Sequence, residues 1–184
     1  MASAATTGTA SQRRQMRERD LVAATRRLFD ERGMQEAPME EVARAVGINR
    51  GLIYRHFSSK EELFVLTVTD YLDELAAALE QARRTGEGPE QRLRLLVEDG
   101  AGFCGTYPAF IDCALSLMQR PAEGLREIVS DAIWLRLGQG MVRCFTTISE
   151  TLREGNEAGV FKVDDPDYTA NLLWTQLLGA MHLA

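Results

Sequence analysis

Twenty residues, Met39 to Ser58, read MEEVARAVGINRGLIYRHFS, and their spacing limits the fold more than any other stretch of the chain. Apolar side chains stand at Val42, Val46, Ile48 and Ile53, with the small Ala43 in fifth place and Gly47 in ninth. A helix-turn-helix needs this layout. The small residue lets two short helices cross closely, the glycine takes the positive φ of a tight turn, and the apolar positions attach both helices to a support. An ordinary helical hairpin in a bundle is the plainer alternative, but it does not require all these features together.

The surrounding sequence is punctuated for helices. Arg13 to Arg32 carries Leu21, Ala24 and Leu28 on one stripe with Val22 and Phe29 beside it, and ends at Gly33. This helix is the expected support. Pro38 suits a first helical position, Met39 to Val46 is a short helix stopped by Gly47, and Asn49 caps a third expected to run to about Phe57. Ser59 with Glu62 forms a capping box that opens a long helix through Phe64, Val68, Tyr71, Leu75 and Leu79, which RTGEGP at 84–89 breaks. Beyond it, Pro89 to about Cys104, Ala109 to Gln119, an amphipathic run from Ala122 to Glu154 that includes Leu125, and a helix opening at Asp165-Pro166 are expected. GVFKV at 159–163 is the single strand-like pattern, and five residues make no sheet. The expected fold is all-α: a flexible tail over 1–11, a helix-turn-helix domain over 12–60, and a helical domain for effector binding and dimerisation over 61–184.

Charge is divided unevenly. The net charge is −6, yet residues 12–65 hold eleven Lys and Arg against nine Asp and Glu, while the rest of the chain holds ten against eighteen. Overall acidity argues against indiscriminate coating of nucleic acid, but phosphates respond to local charge. With Ile53 and Phe57 turned to the core, the third helix presents Gly51, Leu52 and Arg55 outward, with Tyr54 and His56 on its flanks. An outer face with no acid suits a major groove, where Arg reaches guanine and an apolar group meets a thymine methyl. Arg50 stands near the helix start, where helix-turn-helix proteins touch base edges. Lys60 sits in the first turn of the next helix, where a cation is unfavourable unless an anion joins it.

EEVARAVGINRGLIYRHFSSKEELF resembles the DNA-binding domain of the tetracycline-repressor (TetR) family of bacterial transcriptional regulators, through Val42-Ala43, Gly47-Ile48, Gly51, Ile53-Tyr54, His56-Phe57, Ser59-Lys60 and Leu63-Phe64. The resemblance covers about residues 17–64. It implies a homodimer on double-stranded palindromic operator DNA, most often a repressor, released when a small molecule enters the C-terminal domain. It implies Asn49 to Leu52 facing bases and Tyr54, His56 and Lys60 on phosphates. The full set expected at DNA is Met39, Asn49, Arg50, Gly51, Leu52, Tyr54, Arg55, His56 and Lys60. Pro38, Val46 and Asn49 depart from the commoner family residues without removing one of these contacts. The family also implies one more helix beyond LLGAMHLA, which bears on how a dimer is built.

Gly100 to Gly105 reads GAGFCG, the letters of a dinucleotide-binding loop, with Glu123 at about the right distance. That motif works only between a strand and a helix of a parallel sheet, so three glycines thinning a helix is the expected outcome. The alternative of a helical enzyme or cofactor-binding protein rests on this stretch alone, and a helical interaction domain is a third possibility. His56 and His182 are far apart and no catalytic signature is present, so no enzyme activity, cofactor or metal is expected. Cys104, Cys113 and Cys144 lie on apolar stretches as small core residues. Phe103, Tyr107, Phe110, Met118, Trp134, Met141 and Phe145 are the candidate lining of a cavity for an apolar or aromatic effector. Leu172, Leu173, Trp174, Leu177 and Leu178 cover too much of the last helix for one buried stripe, so Leu173, Trp174, Leu177 and Leu178 are the candidate dimer interface. No apolar run approaches the roughly 18 residues of a membrane span. No membrane partner is expected, and a reducing cytoplasm is the expected compartment.

Overall fold

The computed structural model describes residues 4–33, 38–119, 124 and 126–183, with side chains described from residue 12 onward. Among the described residues there are eight α-helices and no strand. They are α1 (Ala4–Arg32), α2 (Met39–Ala45), α3 (Arg50–Ile53), α4 (Lys60–Thr85), α5 (Pro89–Thr106), α6 (Pro108–Gln119), α7 (Asp131–Glu157) and α8 (Pro166–His182). The all-α expectation holds.

α1 buries the anticipated stripe of Leu21, Val22, Ala24, Leu28 and Phe29, and against it stand α2 and α4. α2 ends in a Schellman turn: Ile48 N–H bonds to the Ala43 carbonyl at 2.9 Å, Gly47 N–H to that of Arg44 at 3.1 Å, and Gly47 has φ +71°. A side chain in that backbone conformation costs roughly 1–2 kcal/mol, so glycine sets the angle between α2 and α3. Val42, Ala43, Ile53 and Phe57 are buried beneath the turn.

α4 joins this head to the body of the molecule. Ser59 Oγ accepts the Glu62 N–H at 3.0 Å, completing half of the expected capping box. The Glu62 carboxylate reaches past Ser59 to the N–H and hydroxyl of Ser58, and it also receives hydrogen bonds from Ser130 just before α7. One buried carboxylate thus ties the start of α4 to both the head and the body. Along its length α4 packs on α5 and α7, and the α4–α7 seam carries Arg143 with Glu80 and Asp73, Arg136 with Asp73, and Arg83 with Glu150 and Glu154.

The structure departs from expectation at three places. α1 is helical from Ala4, within the stretch expected as a tail; Ala4, Ala5 and Ala10 favour helix and no proline interrupts them. α3 is four residues long; after it, Arg55 N–H and His56 N–H bond three residues back to Leu52 and Ile53, and a single i→i+4 bond, Phe57 N–H to the Ile53 carbonyl, closes the turn. Gly51, β-branched Ile53 and the aromatic rings that follow are weak helix formers. The run expected over 122–154 is broken: Gly124 and Arg126 are helical, residues 127–130 leave the helix, and the long helix starts afresh at Asp131 with Ser130 in the N-cap position; Ala122, Glu123 and Leu125 lie outside the described residues. GVFKV, as expected, builds no sheet: its Val163 backbone pairs with one side chain, donating to Asn156 Oδ1 at 2.9 Å and accepting from its Nδ2 at 2.6 Å.

Candidate nucleic-acid interface and apolar cavity

The outer rim of the head is built from the turn and α3. Asn49 takes the N-cap position, its side-chain oxygen accepting the Leu52 N–H at 3.0 Å. Its carbonyl is therefore committed to the helix, and only the amide NH₂ remains for a base. Arg50 is exposed, pairs with Glu40 of α2 and lies near the Tyr54 hydroxyl at 3.5 Å, with its guanidinium carbon 5.9 Å from the Tyr54 ring centre. The Tyr54 hydroxyl and the Glu40 carboxylate hold the Arg50 charge above its ordinary range. An exposed pair of this kind contributes little, so a guanine or phosphate displaces it readily. Until then it keeps the arginine extended beside the turn. Arg55 and Lys60 are exposed and form no ion pair among the described residues. Gly51 is exposed and Leu52 half-buried.

Two members of the expected DNA set stand elsewhere. Met39 is only 6% exposed, because the first turn of α2 faces α1 and α4, and its side chain belongs to the core. His56 leans on α1: its side chain is 18% exposed, Nδ1 is buried without a hydrogen bond, and Glu18 Oε1 lies 3.8 Å away. Asn49, Arg50, Gly51, Tyr54, Arg55 and Lys60 remain as one exposed rim, with Leu52 partly so. The partnership of Arg50 with Glu40, ten residues back, had no signature in local spacing.

In the body, an apolar cavity of about 270 Å³ lies between α4, α5, α7 and α8. Leu75 and Leu79, Leu96 and Gly100, Ile148, and Trp174 with Leu177 form its walls, and Gln176 is the single residue with a polar side chain in them. None of the seven residues expected to line a cavity is in these walls. Phe103 and Phe110 are core, Tyr107 stacks against Arg26, Trp134 packs near Arg126, Phe145 backs Trp174 from the α7 side, and Met118 and Met141 are exposed. The expected dimer residues show the complementary error. Leu173, Trp174 and Leu177 line the cavity, and Leu178 is buried. The exposed apolar residues of these helices are instead Leu135 and Val142 on α7, at 63% and 61% exposure, and Tyr168 and Leu172 on α8.

GAGFCG lies inside α5, with no strand before it among the described residues, and a β-carbon at Gly100 would come within 3.1 Å of Leu177. Of the three glycines expected to thin this helix, Gly100 alone lets a neighbour approach closely, while a β-carbon at Gly102 would meet nothing within 4 Å. Burial pushes the Cys104 thiol up to about 11, and those of Cys113 and Cys144 to about 12, so all three are inert core thiols. Among the described residues no group of side chains is arranged to hold a metal ion, and no helix is long and apolar enough to cross a membrane.

Comparison with known proteins matches residues 21–66 to the family model of bacterial regulatory proteins, tetR family. The HTH-type transcriptional activator FasR of Mycolicibacterium smegmatis is 38% identical over 85 residues, which are 46% of this chain and 39% of that protein. The HTH-type transcriptional repressor KstR2 of the same organism is 31% identical over 77 residues, 42% of this chain and 38% of that protein. The matched stretch thus spans less than half of either relative. Over the whole fold, the TetR family transcriptional regulator PfmR of Thermus thermophilus superposes with a TM-score of 0.66 at 26% identity, covering 89% of this chain and 83% of that one.

Proposed function

We propose, from the match of residues 21–66 to the family model of bacterial regulatory proteins, tetR family, that the chain is a ligand-responsive regulator of that family that binds double-stranded operator DNA as a homodimer. The observation that carries this reading is the exposed rim of Arg50, Tyr54, Arg55 and Lys60 around a glycine-set turn, on a chain that is otherwise acidic. Arg50 and Arg55 supply bidentate donors for base edges, while Lys60 and Tyr54 supply phosphate contacts that set register. Met39 is withdrawn from this assignment, and His56 acts by seating the turn on α1.

The effector occupies the cavity between α5 and α8. Its walls call for an uncharged, largely apolar molecule with few polar groups, for which the Gln176 amide and the Trp174 indole N–H are the side-chain partners. Self-association uses the outward apolar residues of α7 and α8, with Leu135 and Val142 at its centre. We assign repression as the direction of control. The relatives include both an activator and a repressor, so direction is read with a reporter gene rather than from the fold.

Fluorescence anisotropy with duplex DNA from upstream of the chain's own coding region tests the central claim. Binding is expected to weaken steeply with salt, by orders of magnitude between about 50 and 200 mM if six or more phosphates are neutralised. Binding to no duplex at low salt, or binding indifferent to salt, sinks it.

A further inference from the structure

Arg26 of α1 is half-buried against the body of the molecule. Its guanidinium carbon lies 4.2 Å from the ring centre of Tyr71 and 4.5 Å from that of Tyr107, so two aromatic faces hold one cation. Its nitrogens meet Asp70 at 3.0 Å and Glu74 at 2.5 Å. Glu74 also accepts the Tyr107 hydroxyl at 3.0 Å, and the Tyr71 hydroxyl donates to Asp30 at 2.5 Å. The parts come from α1, from α4, and from the junction of α5 with α6. A single ion pair would suffice to fasten α1 to α4. Tyr107 adds a tie from the DNA-binding head to the far side of the body.

That tie leads back to the cavity. Tyr107 stacks on Phe103 at 4.8 Å, Phe103 meets Phe110 edge-on at 5.5 Å, and Phe110 meets Trp174 edge-on at 6.3 Å. Trp174 is a cavity wall, and so is Gly100, one turn before Phe103 on the same helix. We propose that the Arg26 clamp, with Tyr71 and Tyr107 as its jaws, couples occupancy of the cavity to the position of α1 and so to the DNA-binding rim. This rests on the regulator function proposed above. Close-packed rings do not compress, so a molecule that pushes on Trp174 or on the α5 wall moves Tyr107 relative to Tyr71. Arg26 touches both faces in only one relative setting of the two rings. Occupied and empty states therefore differ in how firmly α1 is held, and a ligand shifts the balance by that difference.

The test needs no identified ligand, because a side chain can fill the cavity. Ala180→Phe, with Leu177→Phe as a second filling variant, is made in the wild-type chain and with Tyr107→Leu or Tyr107→Phe, and the Kd for the upstream duplex and the melting temperature are measured for each. Filling is expected to change the DNA Kd by about tenfold in the wild-type background, within the range of ordinary allosteric coupling, and by less than about twofold with Tyr107→Leu. Tyr107→Phe keeps the ring and is expected to retain most of the coupling. A merely structural staple behaves otherwise: Tyr107→Leu lowers the melting temperature while filling keeps its full effect on DNA, and that result overturns the proposal. So does an absence of any effect of both filling variants on DNA affinity in the wild-type background. If the wild-type chain binds no duplex, the regulator function fails, and the clamp is judged by hydrogen exchange instead. Filling must then speed exchange of the α1 amides around Arg26 when Tyr107 is present and leave them unchanged when it is Leu; equal exchange in both backgrounds overturns it.

Discussion

The head and the body, joined by α4, hold their shapes by opposite means. α2 and α3 have seven and four residues, too short to persist as isolated helices, and their setting comes from a glycine turn, an Asn cap and a few buried side chains. Their outer side chains carry the chemistry. In the body, helices of 26 and 27 residues run past one another with ion pairs along the seam, and what carries chemistry is volume left unfilled. Activity in the head depends on groups that are present and held in position. In the body it depends on a gap.

The sharpest way to break this comparison is to truncate one apolar residue in each region. Phe57→Ala, beneath the turn, is expected to cost about 3–5 kcal/mol by chemical denaturation, with DNA binding lost at the same time. Leu177→Ala, which already faces the cavity, is expected to cost about 1–2 kcal/mol because little new void is created. Equal costs would erase the distinction. Within the head, Arg50→Ala should relax the choice at one base position by about 1–3 kcal/mol in competition binding, whereas Lys60→Ala should weaken all duplexes alike and lower the salt slope by about 1. If Arg50→Ala lowers affinity uniformly, its partnership with Glu40 is structural and base reading lies elsewhere on the rim.

Self-association supplies a third test. Leu135→Glu with Val142→Glu should convert a dimer to a monomer by sedimentation while leaving the melting temperature nearly unchanged, since both side chains are exposed. Replacing Leu178 should instead unfold the body without a separate monomer stage. The smallest effect concerns Glu62. Burial disfavours its charge, but hydrogen bonds from Ser58 and Ser130 outweigh burial and hold its pKa below the ordinary range. A lowered folded pKa means stability that is present above the unfolded value and lost as pH falls through the folded one. The stability advantage of wild type over Glu62→Gln should therefore shrink as pH falls through the ordinary glutamate range toward the lower folded value, and an advantage that grows toward acid would contradict the assigned hydrogen bonds.

How far the primary structure was readable follows the same division. The burial of Val42, Ala43, Ile53 and Phe57, the Gly47 turn and the Asn49 and Ser59 caps are local matters, set within a few residues, and all appear where spacing put them. Met39 and His56 were misjudged because their direction depends on how α2 and the turn lean on α1, which no short window encodes. The cavity was misplaced for a related reason. Helical periodicity marks Leu173, Trp174 and Leu177 as part of one broad apolar stripe, but not whether that stripe meets a partner, a packed core or a hollow. Hollow space arises where α8 crosses α5, helices whose residues stand about eighty positions apart, and the broad apolar stripe of α8 serves both core and void.

α4 also has a mechanical meaning. It runs unbroken from Lys60 to Thr85, so at 1.5 Å per residue Lys60 stands roughly 38 Å from the Thr85 end and Leu75 only roughly 15 Å from it. Were a rigid α4 to turn about that end, a displacement of about 1 Å at Leu75 would reach Lys60 as roughly 2.5 Å. That approaches the length of a hydrogen bond, enough to move a lysine from one phosphate oxygen to none. A molecule geared in this way needs no large rearrangement around its ligand, and a well-packed body can remain stiff while its far end swings.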